Sequence, residues 1–203
     1  MKENTLKYKI GIGLIPKIGP VLAKRLVTYC GSIEGVFREK GRNLSKIPGI
    51  GEKIAGYIVD NDVMDKAEKE VEFMIKNNIK SLFYLDNNYP ERLKHCYDAP
   101  IMIFVKGDTD FNREKILGIV GTRNATVYGR DMCNKLVEGL ARNNHDVLII
   151  SGLAYGIDIY AHRAALNNNL ESIIKLGEVS DLDNVYDQAD IVVNPIRFGT
   201  GLK

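Results

Sequence analysis

The sequence predicts an α/β protein: a Rossmann-like parallel sheet with helices, preceded by a small all-α domain of helix-hairpin-helix type. From residue 116 onward, short apolar runs alternate with segments of helical periodicity, which is typical of parallel strands buried on both faces. Before residue 79, apolar residues recur at helical spacing, and glycine and proline interrupt them often. We therefore predict a helical domain over residues 1–78 and a Rossmann-like domain over residues 79–203.

The composition is that of a chain with a packed core. Of the 203 residues, 45% are hydrophobic and 27% are charged, which argues against global disorder. The formal net charge is only +2, so any nucleic-acid surface must be local. No apolar run reaches the ~18 residues of a membrane span. The 3 cysteines lack metal-ligand spacing, and we expect reduced thiols in a cytosolic protein without disulfides, metal sites or cofactors.

The helical domain contains a repeated turn. Residues 15–20 read Ile-Pro-Lys-Ile-Gly-Pro, and residues 47–52 read Ile-Pro-Gly-Ile-Gly-Glu. The second copy fits a helix-hairpin-helix pattern well. The first copy is the weaker match, because Lys17 stands where the second copy has Gly49.

The second copy is also a candidate DNA contact. Gly49 and Gly51 allow a tight turn and leave amide N–H groups open to a DNA phosphate, and Lys53 adds a charge nearby. We predict these three residues as a secondary DNA-binding site. The alternative is a turn that only packs short helices against one another.

Further elements follow along the chain. We predict a helix from about residue 63 to 77, then strands over residues 79–85 and 101–106 with an extended crossing between them. Next come strands over residues 116–120 and 147–150, each followed by a helix, over about residues 128–143 and 157–167.

The loops after these last two strands are the predicted binding site. The first, residues 118–126, offers backbone N–H groups, a helix dipole, the Thr122 hydroxyl and the Arg123 guanidinium, while Gly121 permits close approach. Asn124 and Thr126 could instead cap the helix. The second loop ends at the same sheet edge, where ligands of α/β proteins bind. The predicted DNA- and phosphate-binding residues are Gly121, Thr122, Arg123, Asn124, Ser151, Gly152, Leu153, Ala154 and Tyr155.

No catalytic constellation is visible in the sequence. Asp158 and His162 are four residues apart on a predicted helix, which favours a structural pair over a catalytic one. His95 and His145 are isolated. The first loop lacks the GxGxxG pattern of dinucleotide-binding proteins, which argues against a nicotinamide enzyme. We therefore predict a protein that is not an enzyme.

Several separated motifs together resemble one family. They are Tyr89-Pro90, Asp98-Ala99-Pro100, Lys106-Gly107, residues 119–126, Tyr128-Gly129, residues 151–154, residues 156–158 and Ala161-His162. In this order they resemble the DprA/Smf family of DNA-processing proteins, over about residues 1–172.

The resemblance implies an extended Rossmann fold, a homodimer and binding of single-stranded DNA. It also implies protection of incoming DNA during natural transformation and loading of the RecA recombinase as a partner. Gly121, Thr122 and Arg123 match the GTR-type loop that lies in the family's DNA pocket. Tyr155 stands where many members have arginine, so it either lowers the charge of the pocket or stacks on a base.

The C-terminal segment, residues 174–203, departs from the family pattern. It resembles a fragment of the donor-nucleotide half of GT-B glycosyltransferases, and we therefore expect a chimeric chain. Residues 173–176 and 191–193 are predicted strands, and Gly199-Thr200-Gly201 is predicted to cap the cleft.

Three alternative functions remain open from the sequence. The two loops would suit a Rossmann-like enzyme that hydrolyses nucleoside monophosphates, although residues 199–201 only partly match the loop motif of such enzymes and lack its glutamate. The tail alone would suit a glycosyltransferase fragment. A non-functional truncation is the third.

Overall fold

The computed structural model describes residues 2–59, 62–143, 145–175 and 192–195. Its chain forms two compact units, one reaching from the N-terminus to Phe104 and the other from Val105 to Pro195. Residues 79–104 thus belong to the same unit as the helical domain, and the predicted domain boundary after residue 78 stays a prediction. In the described ranges, none of the helices is long and apolar enough to cross a membrane.

The first unit is mainly helical, as predicted. Its longest helix, over residues 62–76, confirms the helix predicted over residues 63–77. The helices are α1 (Lys2–Leu14), α2 (Pro20–Cys30), α3 (Ile33–Arg38), α4 (Gly41–Leu44), α5 (Glu52–Val59), α6 (Asp62–Lys76) and α7 (Glu91–Lys94). Two strands, β1 (Lys80–Phe83) and β2 (Met102–Lys106), are neighbours in a sheet. The predicted crossing between them is not fully extended, because α7 interrupts it.

The two copies of the repeated turn have the same backbone conformation. Lys17 has a φ of 65°, and Gly49, at the equivalent position, has a φ of 84°. In each copy the next helix begins three residues later, α2 at Pro20 and α5 at Glu52. A left-handed lysine is unusual, because its Cβ crowds the backbone in this region. The turn therefore imposes its conformation on Lys17, and the missing glycine does not break the repeat.

The hydrogen bonds of the two turns correspond as well. In each copy an isoleucine N–H donates to an isoleucine carbonyl three residues earlier, and an alanine N–H on the following helix donates to a glycine carbonyl. These bonds are Ile18 N to Ile15 O (3.2 Å), Ile50 N to Ile47 O (2.9 Å), Ala23 N to Gly19 O (2.9 Å) and Ala55 N to Gly51 O (3.0 Å). All four isoleucines and both alanines are buried, so each turn contributes side chains to the core of this unit.

Tyr89 connects the two ends of the segment between β1 and β2. Its side chain is fully buried, and its hydroxyl donates to the Pro100 carbonyl over 2.5 Å. Burial, with a smaller effect of Cys96, raises the pKa of Tyr89 to about 12, so the phenol stays protonated as a donor. The Tyr89-Pro90 and Ala99-Pro100 pairs are thus joined by one hydrogen bond.

The second unit is the predicted parallel α/β sheet. Four strands pair in parallel in the order β3-β4-β5-β6, and the helices lie between β3 and β4 and between β4 and β5 in the chain. The elements are β3 (Ile116–Gly118), α8 (Val127–Arg142), β4 (Leu148–Gly152), α9 (Ile157–Asn167), β5 (Ser172–Lys175) and β6 (Val192–Pro195). The strands β5 and β6 correspond to those predicted at residues 173–176 and 191–193. The loop predicted at residues 199–201 lies outside the described residues.

The core of this unit lies between β4 and the two helices, which also pack against each other. Small residues on α9, Ala161 and Ala165, face Val137 of α8 and Ile149 of β4, and all four are buried. Cys133 belongs to the same cluster, and burial raises the pKa of its thiol. The close helix packing fixes where α8 and α9 begin, which positions the two loops before them.

Candidate functional site

The two predicted loops begin side by side. Because β3 and β4 are parallel neighbours, both chains leave the sheet at the same edge. Just beyond β3, the Ile119 N–H donates to the Ile150 carbonyl over 2.9 Å. The buried Ser151 hydroxyl donates to the Ile119 carbonyl over 2.6 Å. The Ser151 side chain therefore holds the two strand ends together beneath the loops.

The loops also contact each other directly above that edge. The Ile157 N–H, at the start of α9, donates to the Thr122 carbonyl over 3.2 Å. Gly156 has a φ of 92°, and a Cβ on it would collide with the carbonyl oxygens of Thr122 and Arg123. In the sequence, Gly156 belongs to a motif but is not among the predicted site residues. Its position directly before a predicted helix is the sequence feature that could have indicated this structural role.

Gly121 is required for a reason that differs from the predicted one. A Cβ on Gly121 would lie 2.6 Å from the Ile157 Cβ, so its absence lets the first loop rest on the first residue of α9. We predicted that this glycine makes room for a ligand. The close neighbour in the structure is a side chain of the protein.

The polar end of the first loop faces outward. Gly121, Thr122, Arg123 and Asn124 are all exposed. The Thr122 hydroxyl accepts a hydrogen bond from the Asn124 N–H over 3.2 Å, which stabilises the turn. In the described part of the chain, Arg123 forms no ion pair, and its guanidinium is available to an anion.

Thr126 caps α8, and this decides between the two residues proposed for that role. Its hydroxyl accepts a hydrogen bond from the Gly129 N–H over 3.1 Å. Asn124 lies earlier in the loop and does not cap the helix. The cap satisfies one N–H group of the first helical turn and fixes the end of the loop.

The second loop differs in exposure along its length. Gly152, Leu153 and Ala154 are half-buried, whereas the Tyr155 side chain is 80% exposed. A Cβ on Gly152 would lie 2.8 Å from an Asp158 carboxylate oxygen, so this glycine makes room for that buried side chain. Tyr155 is thus the large side chain that this loop presents to solvent.

Asp158 and His162 lie beneath the loops, both buried. The His162 Nε2 lies 3.0 Å from the Gly152 carbonyl, and it must donate because a carbonyl only accepts. Burial lowers the pKa of His162, against the opposing effects of the Gly152 and Ser151 carbonyls and of Asp158. Within the described residues, Asp158 Oδ1 and His162 Nδ1 have no hydrogen-bond partner. The neutral imidazole therefore anchors α9 to the end of β4.

The second candidate site, in the helical unit, is a turn packed on its neighbour. A Cβ on Gly49 would lie 2.9 Å from Leu22 Cδ2, and the Arg25 guanidinium donates to the Pro48 carbonyl over 2.5 Å. Gly49 is therefore explained by packing against α2. Gly51 has open space around its Cα, and Lys53 is exposed. All three predicted residues of this turn, Gly49, Gly51 and Lys53, are exposed.

Comparison with known proteins agrees with this architecture. A model of the family described as DNA recombination-mediator protein A matches residues 80–192, which is more than half of the chain. The chain belongs to this family. A second model, of the SAM-like helix-hairpin-helix tandem, matches residues 13–60 of the chain. That range includes both copies of the repeated turn and confirms the helix-hairpin-helix prediction.

Individual relatives cover the chain to different extents. It is 35% identical to DNA processing protein DprA of Streptococcus pneumoniae over 127 residues, which are 63% of this chain and 42% of that protein. It is 28% identical to protein Smf of Synechocystis over 190 residues, which are 92% of this chain and 47% of that protein. The X-ray structure of DprA from Streptococcus pneumoniae matches 97% of this chain and 68% of its own, with a TM-score of 0.59 and 25% identity. The chain spans less than half the length of these two curated relatives.

The resemblance of residues 174–203 to a glycosyltransferase is not supported. The family model extends to residue 192 and so includes much of this segment. In the structure, the described part of the segment supplies β6, which pairs in parallel with β5 of the same sheet. The end of the segment, residues 196–203, lies outside the described residues.

Proposed function

We propose that this protein binds single-stranded DNA without reading its sequence, through the exposed loop of Gly121, Thr122, Arg123 and Asn124 and the neighbouring loop that ends at Tyr155. The observation that carries the proposal is the joined pair of loops at one sheet edge, with Arg123 exposed and unpaired among the described residues. Backbone N–H groups, a helix start and a guanidinium together suit a phosphate and offer no pattern that distinguishes bases.

Membership of the DNA recombination-mediator family supports the wider role. We infer that the protein acts in natural transformation and recombination, protects incoming single strands, loads RecA and forms a homodimer without acting as an enzyme. Leu153 and Ala154 would line the site, and Ser151 and Gly152 would support it from below. Gly51 and Lys53, beside Gly49, would provide a secondary contact to DNA.

The test is a titration of fluorescently labelled oligothymidine with the protein, followed by anisotropy at several salt concentrations. Binding is expected to weaken as salt rises, because phosphate contacts release counterions. Arg123→Ala is expected to weaken binding and to reduce the slope of log affinity against log salt by about 0.7, the value for one phosphate contact to a single strand.

Arg142→Ala is the matched control. Arg142 is also an exposed arginine, but it is paired with Glu138 in the last turn of α8. This variant is expected to bind like the unaltered protein. The proposal fails if a folded protein binds no oligothymidine, or if both variants lose affinity equally.

A further inference from the structure

Two arginines share one tyrosine ring on the surface of the second unit. The Arg130 guanidinium, on α8, donates to the Tyr160 hydroxyl of α9 over 3.0 Å and lies 5.5 Å from the centre of its ring. The Arg163 guanidinium, one turn further along α9, lies 6.0 Å from the same ring centre. Contacts at these distances are cation–π interactions, and they place both guanidiniums around the same tyrosine ring.

This pair of cations has no carboxylate partner in the described part of the chain. Other basic residues of α8 do have one: Lys135 lies 2.8 Å from Asp131, and Arg142 is paired with Glu138. Without a carboxylate to neutralise them, two guanidiniums around one ring give a local positive potential that attracts anions. Unlike the paired cations of α8, Arg130 of α8 and Arg163 of α9 therefore form a local anion-attracting surface on a protein of net charge +2.

The surface begins where the first loop ends. Arg130 Nε donates to the Thr126 carbonyl over 3.4 Å, and Thr126 is the residue that caps α8 after the loop of Arg123. Arg130 is therefore hydrogen-bonded to the end of the loop of Arg123, and the Tyr160 ring links Arg130 to Arg163.

We propose that Arg130, Tyr160 and Arg163 form a second phosphate-binding patch, which contacts the backbone of a nucleic-acid strand as it leaves the loops along the α8–α9 surface. This inference rests on the proposed function, because the strand must first be held at the Arg123 loop. Tyr160 positions the guanidiniums, whose remaining N–H donors bind the phosphates. The patch reads no base, so it adds affinity and a direction of exit without adding sequence preference.

The experiment compares oligothymidines of two lengths in the anisotropy titration. The double variant Arg130→Gln/Arg163→Gln is expected to bind a 20-nucleotide strand more weakly, with a salt slope smaller by about 0.7 for each phosphate that is no longer bound. Its affinity for a 6-nucleotide strand, which fills the loop site alone, is expected to be unchanged. The matched control is Lys135→Gln/Arg142→Gln, which removes the same charge from paired positions and is expected to bind both lengths normally.

The possible results separate this proposal from the one it rests on. If the unaltered protein binds neither strand, the proposed function itself fails. If the protein binds both strands and the double variant binds the long strand equally well, the patch is overturned and the loop site stands. An equal loss at both lengths also overturns the patch, because it would then be part of the first site or needed for folding. Arg163→Gln alone, at an exposed residue, repeats the test with little risk to the fold and is checked by circular dichroism.

Discussion

His162 is a buried histidine whose charge state is tied to the stability of the site. Burial lowers its pKa below the value of an unfolded chain, so the unfolded state takes up its proton first as the pH falls. The contribution to folding is complete above the unfolded pKa of about 6.5, and it is lost as the pH falls toward the folded value. The anchor of α9 on β4 therefore weakens in mild acid.

We expect the protein to lose stability between pH 7.5 and pH 5.5, and His162→Gln to lose less over the same interval. Glutamine can still donate to the Gly152 carbonyl but does not titrate. The difference is up to about 1.4 kcal/mol for each pH unit between the two pKa values. Urea unfolding at both pH values measures it, with His145→Gln, at an exposed histidine, as the control. The explanation is wrong if the two variants show the same loss.

At the level of elements, the two copies of the repeated turn share a backbone conformation although different residues occupy its left-handed position. Lys17 and Gly49 occupy equivalent left-handed positions, but only glycine takes this conformation without steric cost. A Cβ on Gly49 would also lie too close to Leu22. The first turn, by contrast, already accommodates the Cβ of Lys17 at its equivalent position. The first turn is therefore expected to accept a glycine at position 17, whereas the second is not expected to accept a side chain at position 49.

Lys17→Gly is expected to raise the free energy of unfolding by about 0.5 kcal/mol, because relief of the left-handed conformation exceeds the added flexibility of the unfolded chain. Gly49→Ala is expected to lower it by about 1–3 kcal/mol, since strain and a close contact with Leu22 act together. Chemical denaturation of the two variants beside the unaltered protein measures both. Equal effects of the same sign would contradict the shared geometry.

The repeated turn also shows what could be predicted from the sequence. Apolar runs predicted the positions of β3 and β4, and their parallel pairing followed from the helix between them, although β3 is only half-buried. A lysine carries no sign of a positive φ, so the conformation of Lys17 could not be predicted. The meeting of Arg130 with Tyr160 depends on how α8 packs against α9, and no periodicity in either helix reveals it.

On the scale of the whole molecule, each compact unit has a core of its own. The buried apolar residues of the first core that the structure describes come from residues 10–104, and those of the second come from residues 119–165. A unit whose core is drawn from one continuous stretch of chain is expected to fold alone. The candidate sites are divided in the same way, with the loop of Arg123 in the second unit and the turn of Lys53 in the first.

A fragment of residues 1–106, which ends with β2, is therefore expected to unfold cooperatively and to retain its helices. Because it carries Gly51 and Lys53 but lacks the Arg123 loop, it is expected to bind oligothymidine much more weakly than the whole chain. Any remaining binding should fall in Lys53→Gln and stay unchanged in Lys69→Gln, an exposed lysine on α6. Circular dichroism during heating tests the fold, and anisotropy tests the binding. A fragment without a cooperative transition would show that the first core needs the second unit. Tight binding that survives Lys53→Gln would place a DNA contact elsewhere in the helical unit.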